Sequence, residues 1–180
     1  MPGDIFKKRR IAVLGARSVG KSSLVIQYIE GHFNIPIEGC EYEVDIVDTA
    51  GQEEFSFLNM KHVVGTHGYA LVYSVASRQS YDIAKILFDK ILDLTGLRTV
   101  PCVLVGSKSD LQRREVPTAE AEKWAKDHTC AFIETSARLN ENIDKVFTLC
   151  LGQIEKRYPR PGQRHAQTVA QDNKSSCIVQ

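Results

Sequence analysis

Short apolar segments alternate with amphipathic ones along most of this 180-residue chain. Five segments are candidate strands. One of them, Tyr42–Val47, alternates polar and apolar residues, which indicates a strand with one face more exposed to water. A short extended piece at 34–37 and a Glu38-Gly39 turn precede it. The other four candidates are continuous apolar runs, typical of strands buried on both faces, and they occur at Ile11–Leu14, Tyr69–Val75, Val100–Val105 and Ala131–Ile133.

Segments with helical spacing separate these strands. The first begins near Leu24, the second runs from Ser80 to Gly96, and the third covers Thr118–Asp127. A capping Asn140 opens the last helix, whose apolar face holds Ile143, Val146, Phe147, Cys150 and Ile154. Strands that alternate with helices predict an α/β fold with a mostly parallel sheet. Ligand-binding loops then gather at the carboxyl edge of the strands.

The loop between the first strand and the first helix reads G-x-x-x-x-G-K-S over Gly15–Ser22. This order predicts a phosphate-binding loop, because glycines let backbone N–H groups surround an anion at a helix N-terminus. Lys21 is expected to reach the β- and γ-phosphates, and the Ser22 hydroxyl to bind Mg²⁺. The alternative is a glycine-rich turn before an ordinary helix. Within this loop and its flanks, further nucleotide contacts are assigned to Gly15, Arg17, Ser18, Val19, Gly20 and Ser23.

A second phosphate-facing element follows the Tyr42–Val47 strand. Asp48 ends this strand opposite the phosphate loop, where a carboxylate contacts Mg²⁺ through water. Gly51 would let its backbone N–H approach a γ-phosphate, and Gln52 would orient the attacking water. Such D-x-x-G turns are common by themselves, so this prediction depends on the phosphate loop.

The run Ser107–Asp110 indicates which base is bound. A carboxylate at Asp110 accepts from N1–H and the exocyclic amine of guanine, which adenine does not offer. The Lys108 stem is placed along the base. Ser136 and Ala137 offer backbone N–H groups to guanine O6.

Composition narrows the class of protein further. The formal net charge of +1 gives no basic field, so no nucleic-acid partner is expected. The five cysteines show no metal-ligand spacing, and four of them are interpreted as small core residues in a reducing compartment. No stretch approaches the ~18 apolar residues of a membrane span, so membrane contact is expected only through an anchor.

Together these motifs make the chain resemble the Ras-like small GTPases, whose base motifs read N/T-K-x-D and S-A. The resemblance covers most of residues 8–157 and the last four residues. Arg17-Ser18 in the phosphate loop, the run Gly68–Val75 and the ending Lys174–Cys177 are similar to the Rheb branch. The resemblance implies a three-layer P-loop G domain over residues 1–157 that binds GTP and GDP with Mg²⁺ and hydrolyses GTP to GDP.

The resemblance also implies residue roles. It places Phe33 where the family stacks an aromatic ring on guanine, and it makes Lys21 and Gln52 the catalytic residues. Arg17 beside the γ-phosphate should crowd Gln52, so slow hydrolysis is expected. Ser107 stands where the family has Asn or Thr, and its shorter side chain implies weaker nucleotide affinity.

One departure from the family pattern is large. Only 26 positions separate Ser22 from Asp48, about fourteen fewer than the family spacing. The missing part corresponds to switch I, with its γ-phosphate-sensing threonine, and to most of the second strand. This edge strand is therefore expected to be truncated, which leaves Tyr42–Val47 open to pairing with another chain.

Residues 158–180 are predicted to form a disordered tail, because apolar residues are few. The tail ends with Cys177-Ile178-Val179-Gln180, a C-a-a-X box whose terminal Gln favours farnesylation. One prenyl chain on Cys177 predicts weak attachment to the cytosolic face of endomembranes or the plasma membrane. The resemblance adds a TOR kinase complex and a tuberin-like GTPase-activating protein as partners.

Three classes of function remain after these observations. The first is a membrane-anchored GTPase switch in TOR-type growth signalling. The second is a guanine-nucleotide-binding module that does not switch, because switch I is missing. The third, a P-loop kinase or ATPase, is disfavoured by Asp110 together with Ser136 and Ala137.

Overall fold

The computed structural model describes residues 7–31, 35–37, 40–48 and 63–158 of the chain. Four helices lie within these ranges: α1 (Lys21–Gly31), α2 (Arg78–Thr95), α3 (Thr118–Asp127) and α4 (Ile143–Arg157). The strands of the same ranges form one sheet: β1 (Lys7–Gly15), β2 (Ile35–Ile37), β3 (Cys40–Asp48), β4 (Gly68–Ser74), β5 (Cys102–Ser107) and β6 (Ala131–Thr135).

The sheet has the order β2-β3-β1-β4-β5-β6. Five strands are mutually parallel, in the sheet order β3, β1, β4, β5 and β6. The edge strand β2 pairs antiparallel with β3. In the described ranges, β2 pairs with Cys40, Glu41 and Tyr42, the first three residues of the nine-residue β3. The predicted α/β fold with a mostly parallel sheet is confirmed, whereas the truncation of the edge strand stays a prediction.

The helices cover both faces of the sheet and make three layers. One core cluster joins the sheet to α1 and α4, and a second joins it to α2 and α3. Along β1, Ile11 and Val13 belong to the first cluster, whereas Ala12 and Leu14 belong to the second. Burial on both faces explains why this strand appears in the sequence as a continuous apolar run.

An ion pair fixes α4 across the first face. Arg9 of β1 donates through Nε and Nη2 to Glu155 Oε1 at 3.1 and 2.7 Å. Both side chains are largely buried. A charge-assisted contact of this kind orients α4 on the sheet beyond what apolar packing alone specifies.

Two helix boundaries differ from the sequence prediction. The N-cap of α2 is Ser77, whose hydroxyl accepts from the Ser80 N–H, so the helix begins before Ser80. At α4 the cap is Asn142 in the left-handed region, whereas Asn140 lies in the preceding turn. The predicted end of α2 at Gly96 is confirmed by its φ of 66°.

Three cysteines, Cys102, Cys130 and Cys150, are buried and free, as expected of small core residues. Burial raises the pKa of the Cys150 thiol to about 12, which keeps it protonated. Nothing is described of the side chain of Cys40, and Cys177 lies outside the described residues. Of the helices in the described ranges, none combines the length and apolarity needed to cross a bilayer.

Candidate functional site

The candidate site lies where the carboxyl ends of β1 and β4 meet. In the sheet, β1 lies between β3 and β4. The chain forms β3 on one side of β1 and then crosses to form β4 on the other side, and this reversal opens a crevice at the carboxyl edge. Gly15 ends β1 opposite Val72 of β4. A Cβ atom at position 15 would stand 2.0 Å from the Val72 carbonyl oxygen, so only glycine fits here.

The loop from Ala16 to Gly20 is held by its own apolar residues and by Lys21. The side chains of Ala16 and Val19 are buried in the core. Ser18 and Gly20 have positive φ, at 62° and 102°. Lys21 Nζ donates to the carbonyl oxygens of Gly15 and Ala16 at 2.9 and 2.7 Å. The loop therefore encloses an ammonium group at the start of α1, where an anion is favoured.

The end of β3 faces the start of α1. Ser22 Oγ donates to Asp48 Oδ2 at 2.9 Å. Asp48 Oδ1 is buried and has no hydrogen-bond partner within the described part of the chain. A buried carboxylate oxygen beside a hydroxyl is an all-oxygen donor set, which suits a hard divalent cation. The residues present therefore fit Mg²⁺, with Ser22 and Asp48 as the groups that would hold it.

A cavity of about 270 Å³ opens beside the loop and is suited in chemistry to a base. Its walls combine apolar side chains with one carboxylate and one lysine stem. The cavity is lined by Val19, Gly20, Ser23, Leu24, Val72, Ser107, Lys108, Asp110, Leu111, Thr135, Ala137 and Arg138.

The carboxylate of this cavity is held in place by the loop that follows β6. Ser136 Oγ donates to Asp110 Oδ1 at 2.7 Å, and Arg138 Nη1 lies 3.9 Å from Asp110 Oδ2. The hydrogen bond from Ser136, with smaller contributions from Arg138 and Lys108, lowers the pKa of the Asp110 carboxyl. An ionised carboxylate accepts hydrogen bonds only, which matches two adjacent N–H donors on guanine.

Ser136 contributes to the site through its hydroxyl rather than through the backbone N–H that the sequence analysis assigned to guanine O6. Its backbone N–H donates to Glu141 O at 3.2 Å, so it is not free for guanine O6. Of the pair assigned to O6, this leaves the N–H of Ala137, while the Ser136 hydroxyl positions Asp110. Gln27 Nε2 donates to the Ala137 carbonyl oxygen at 2.5 Å and joins α1 to this loop.

Two contacts link the base cavity to the phosphate loop. The buried Ser107 Oγ lies 2.5 Å from Val19 O and 2.7 Å from Tyr73 O, and its single proton serves one of them at a time. Lys108 Nζ donates to Ser18 O at 2.8 Å. Ser107 thus reaches the phosphate loop although its side chain is shorter than the Asn or Thr of the family motif.

Arg17 borders the loop on the side of α2. A second cavity of about 310 Å³ lies between residues 16–19 and the start of that helix, and the exposed Arg17 is among its lining residues. Four other residues assigned from the sequence lie outside the described ranges: Phe33, Gly51, Gln52 and Cys177.

Gln27, Arg138 and Val72 were not assigned from the sequence. Gln27 follows the inward-facing Leu24 by one helical turn, and a polar residue so placed is a weak signal of a tertiary hydrogen bond. No sequence motif marks Arg138 or Val72 as a site residue, since each reaches the site only through its place in the fold.

The chain is similar in sequence to known GTP-binding proteins over most of its length. The sequence profile of the Ras family matches residues 34–156. The chain is 50% identical over 166 residues to the Schizosaccharomyces pombe "GTP-binding protein rhb1", covering 84% of this chain and 90% of that protein. It belongs to the Ras family of small GTPases, in the Rheb branch.

Other Rheb relatives match over nearly their whole length. The Drosophila melanogaster "GTP-binding protein Rheb homolog" is 41% identical over 188 residues, covering 96% of this chain and 98% of that protein. The human "GTP-binding protein Rheb" is 38% identical over 188 residues, covering 96% of this chain and 97% of its own. In this Ras-family chain the loop 15–22, Asp48, Asp110 and Ser136 share one edge of the sheet.

Proposed function

We propose that this chain binds GTP and GDP together with Mg²⁺ and hydrolyses GTP to GDP as a signalling switch. The observation that carries the proposal is the Asp110 carboxylate, which Ser136 fixes inside a cavity next to the phosphate loop. An ionised acceptor there selects guanine over adenine. Relatives named GTP-binding proteins, at 38–50% identity, support the same nucleotide.

Each side chain has a distinct role in this proposal. Lys21 neutralises charge on the β- and γ-phosphates, and Ser22 and Asp48 hold Mg²⁺. When bound, the metal offsets the negative charge that develops during phosphoryl transfer. The proposal retains Gln52 as the residue that orients water, Gly51 as a γ-phosphate contact and Phe33 as the ring on the base.

Hydrolysis is proposed to be slow. Arg17 lies exposed beside the phosphate loop. Its bulk would restrict the space available to Gln52 and to a partner's arginine. Lys21 and the metal would still stabilise the transition state. Bound GTP would then persist, and an activating protein would set the rate of switching.

The segment between α1 and β3 is proposed to lack switch I. The 26 positions from Ser22 to Asp48 support this. So does the Drosophila alignment, which spans 188 positions although 96% of this chain is about 173 residues, leaving about 15 positions without a counterpart here. GTP sensing would then depend on Gly51 and Gln52, and engagement of a TOR kinase complex or a tuberin-like activating protein would be weakened.

The membrane role rests on the end of the sequence. Cys177 within Cys177–Gln180 is proposed to carry a farnesyl group and to hold the chain reversibly at the cytosolic face of endomembranes or the plasma membrane. Mass spectrometry of the protein from cells tests this directly. A free Cys177 thiol, or membrane recovery that survives Cys177→Ser, would contradict the proposal.

The decisive experiment measures GTP and GDP affinity with and without Mg²⁺, followed by single-turnover hydrolysis. A switch requires both nucleotides to bind more tightly with Mg²⁺ and a slow first-order release of phosphate that is lost in Lys21→Ala. Binding of ATP with equal affinity would reject the base assignment. Nucleotide binding with no hydrolysis at all would leave a binding module that does not switch.

A further inference from the structure

Within the described residues, the outer edge of β3 is paired over only part of its length. Its nine residues pair along one side with β1, whereas β2 pairs only with Cys40, Glu41 and Tyr42 on the other. From Glu43 to Asp48, no described residue pairs with that outer side. Backbone N–H and C=O groups along an unpaired edge form a template for an added strand.

An apolar stripe of α1 lies next to this edge. Ser22, Ile26 and Ile29 are spaced four and three residues apart, so they share one face of the helix. Because Ser22 contacts Asp48 at the end of β3, this face is turned toward β3. Ile26 and Ile29 are 53% and 44% exposed, although the neighbouring α1 residues Leu24, Val25 and Tyr28 are buried.

The backbone edge Glu43–Asp48 and the exposed stripe of Ile26 and Ile29 are together called the β3 edge surface. Val44 and Ile46 pack toward the core cluster that contains α1, so they point to the same face as the stripe. Glu43 and Asp45 alternate with them and point to the opposite face.

The β3 edge surface carries two carboxylates, those of Glu43 and Asp45. Lys8 Nζ donates to Glu43 at 3.0 Å and Arg10 Nε to Asp45 at 2.9 Å, so β1 supplies cations on one side of each carboxylate. Both carboxylates stay partly exposed. A strand added outside β3 would place a second residue beside each of them, where a cation is favoured and an anion is not.

We propose that the β3 edge surface docks an extended segment of a partner protein in which apolar and basic residues alternate. The backbone of the segment pairs with Glu43–Asp48. Its apolar residues lie against Val44, Ile46 and the α1 stripe, and its basic residues lie beside Glu43 and Asp45. The proposal does not depend on nucleotide hydrolysis.

A second copy of this chain is a poorer occupant. Antiparallel joining of two β3 edges centred on this stretch, with the apolar faces aligned, places Glu43 and Asp45 of one copy beside the same carboxylates of the other. Like charges directly opposite each other destabilise a strand pair. The chemistry of the edge therefore selects a basic partner.

The test uses the full chain and three capped eight-residue peptides that alternate valine with lysine, with glutamate or with serine. Titration gives affinity, and hydrogen exchange measured by NMR reports protection at each amide. We expect the lysine peptide to bind about tenfold more tightly than the glutamate peptide and to slow exchange within 43–48. The serine peptide should fall between them.

Variants separate specific docking from general attraction of a basic peptide. Glu43→Gln with Asp45→Asn should bring the lysine and glutamate peptides within about twofold of each other. The matched control, Asp82→Asn with Asp127→Asn, removes two ion-paired carboxylates on α2 and α3 and should keep the preference. If the first pair prevents folding, the exchange map of the unchanged chain decides the question.

Several results would overturn the proposal. They are equal affinity for the lysine and glutamate peptides, lack of protection within 43–48 when the lysine peptide is bound, and no binding at about 1 mM peptide. A concentration-dependent dimer that buries the same amides would assign the edge to a second copy. Protection in the free chain that disappears on removal of residues 159–180 would assign it to the chain's own terminus.

Discussion

Ser22 and Asp48 form a hydrogen bond of 2.9 Å that joins the first residues of α1 to the last residue of β3. The second oxygen of Asp48 is buried and has no partner in the described part of the chain. The two residues lie 26 positions apart in the sequence. The pair therefore joins the start of α1 to the end of β3 at the place where the proposed Mg²⁺ would be held.

Removal of the Ser22 hydroxyl should weaken nucleotide binding chiefly when Mg²⁺ is present. We expect Ser22→Ala to lose about 10- to 100-fold of the affinity that Mg²⁺ adds, because one of two protein groups at the metal is gone. Isothermal titration with and without Mg²⁺ measures the effect. Thr148→Ala, which removes an exposed hydroxyl on α4 away from the site, is the control. Equal losses in both variants would contradict a metal role for Ser22.

Asp110→Asn should change the base that is bound. The amide of asparagine presents a donor where the carboxylate accepted, so guanine loses a matched pair while xanthine, with a carbonyl at that position, gains one. We expect GDP affinity to fall about 100-fold or more and XDP affinity to rise. Competition against a fluorescent nucleotide measures both. Retained preference for GDP would place the base elsewhere.

Stability should fall in mild acid because of His67. Arg10 N donates to His67 Nδ1 at 3.0 Å, and burial, Arg9 and Arg10 together lower the pKa of the imidazole. A lowered pKa means that the folded state favours neutral His67. Its contribution is therefore present above about pH 6.5, the ordinary value, and is lost as pH falls through the lowered pKa. Urea unfolding between pH 8 and pH 5 measures the slope.

His67→Asn is the matched variant for that measurement. Its amide oxygen still accepts from the Arg10 N–H but does not titrate. The fall in stability between pH 8 and pH 5 should be smaller in the variant than in the unchanged chain. An identical slope in both proteins would exclude His67 as the cause.

Two glycine-to-alanine substitutions should change the stability of the fold in opposite directions. Gly15→Ala should destabilise the fold by about 2–3 kcal/mol, since its Cβ would stand 2.0 Å from a backbone oxygen that the sheet holds rigidly. Gly152→Ala in α4 meets nothing within 4 Å and should stabilise by about 0.5–1 kcal/mol. Chemical denaturation measures both. Destabilisation by the second change would show that the α4 surface is tighter than described.

Local chemistry made part of this protein predictable. The phosphate loop was found because glycine, lysine and serine must stand at fixed distances along the chain to surround an anion. β1 and β4 were found because strands buried on both faces need uninterrupted apolar residues. The end of α2 was found because Gly96 adopts a left-handed conformation that favours glycine.

Tertiary contacts were not predictable in the same way. The Ser136 hydroxyl reaches Asp110 only because β5 and β6 pair in a particular register. Asp110 and Ser136 are 26 positions apart, and the sequence between them carries no trace of this contact. Ser77 and Ser80 are equally good caps by sequence. Ser80 is inside the helix because its hydroxyl accepts from the Ser74 N–H and is buried there.

The Arg9–Glu155 ion pair has a mechanical consequence. Glu155 lies two residues before α4 ends at Arg157, so it is the last buried charge before the chain leaves the helix. A pull on residues beyond α4, from a tether or a bound surface, would load this contact in shear before it reached the apolar packing. Because Arg9 belongs to β1, the pair would pass that load directly to β1, the strand that leads into the loop from Ala16 to Gly20.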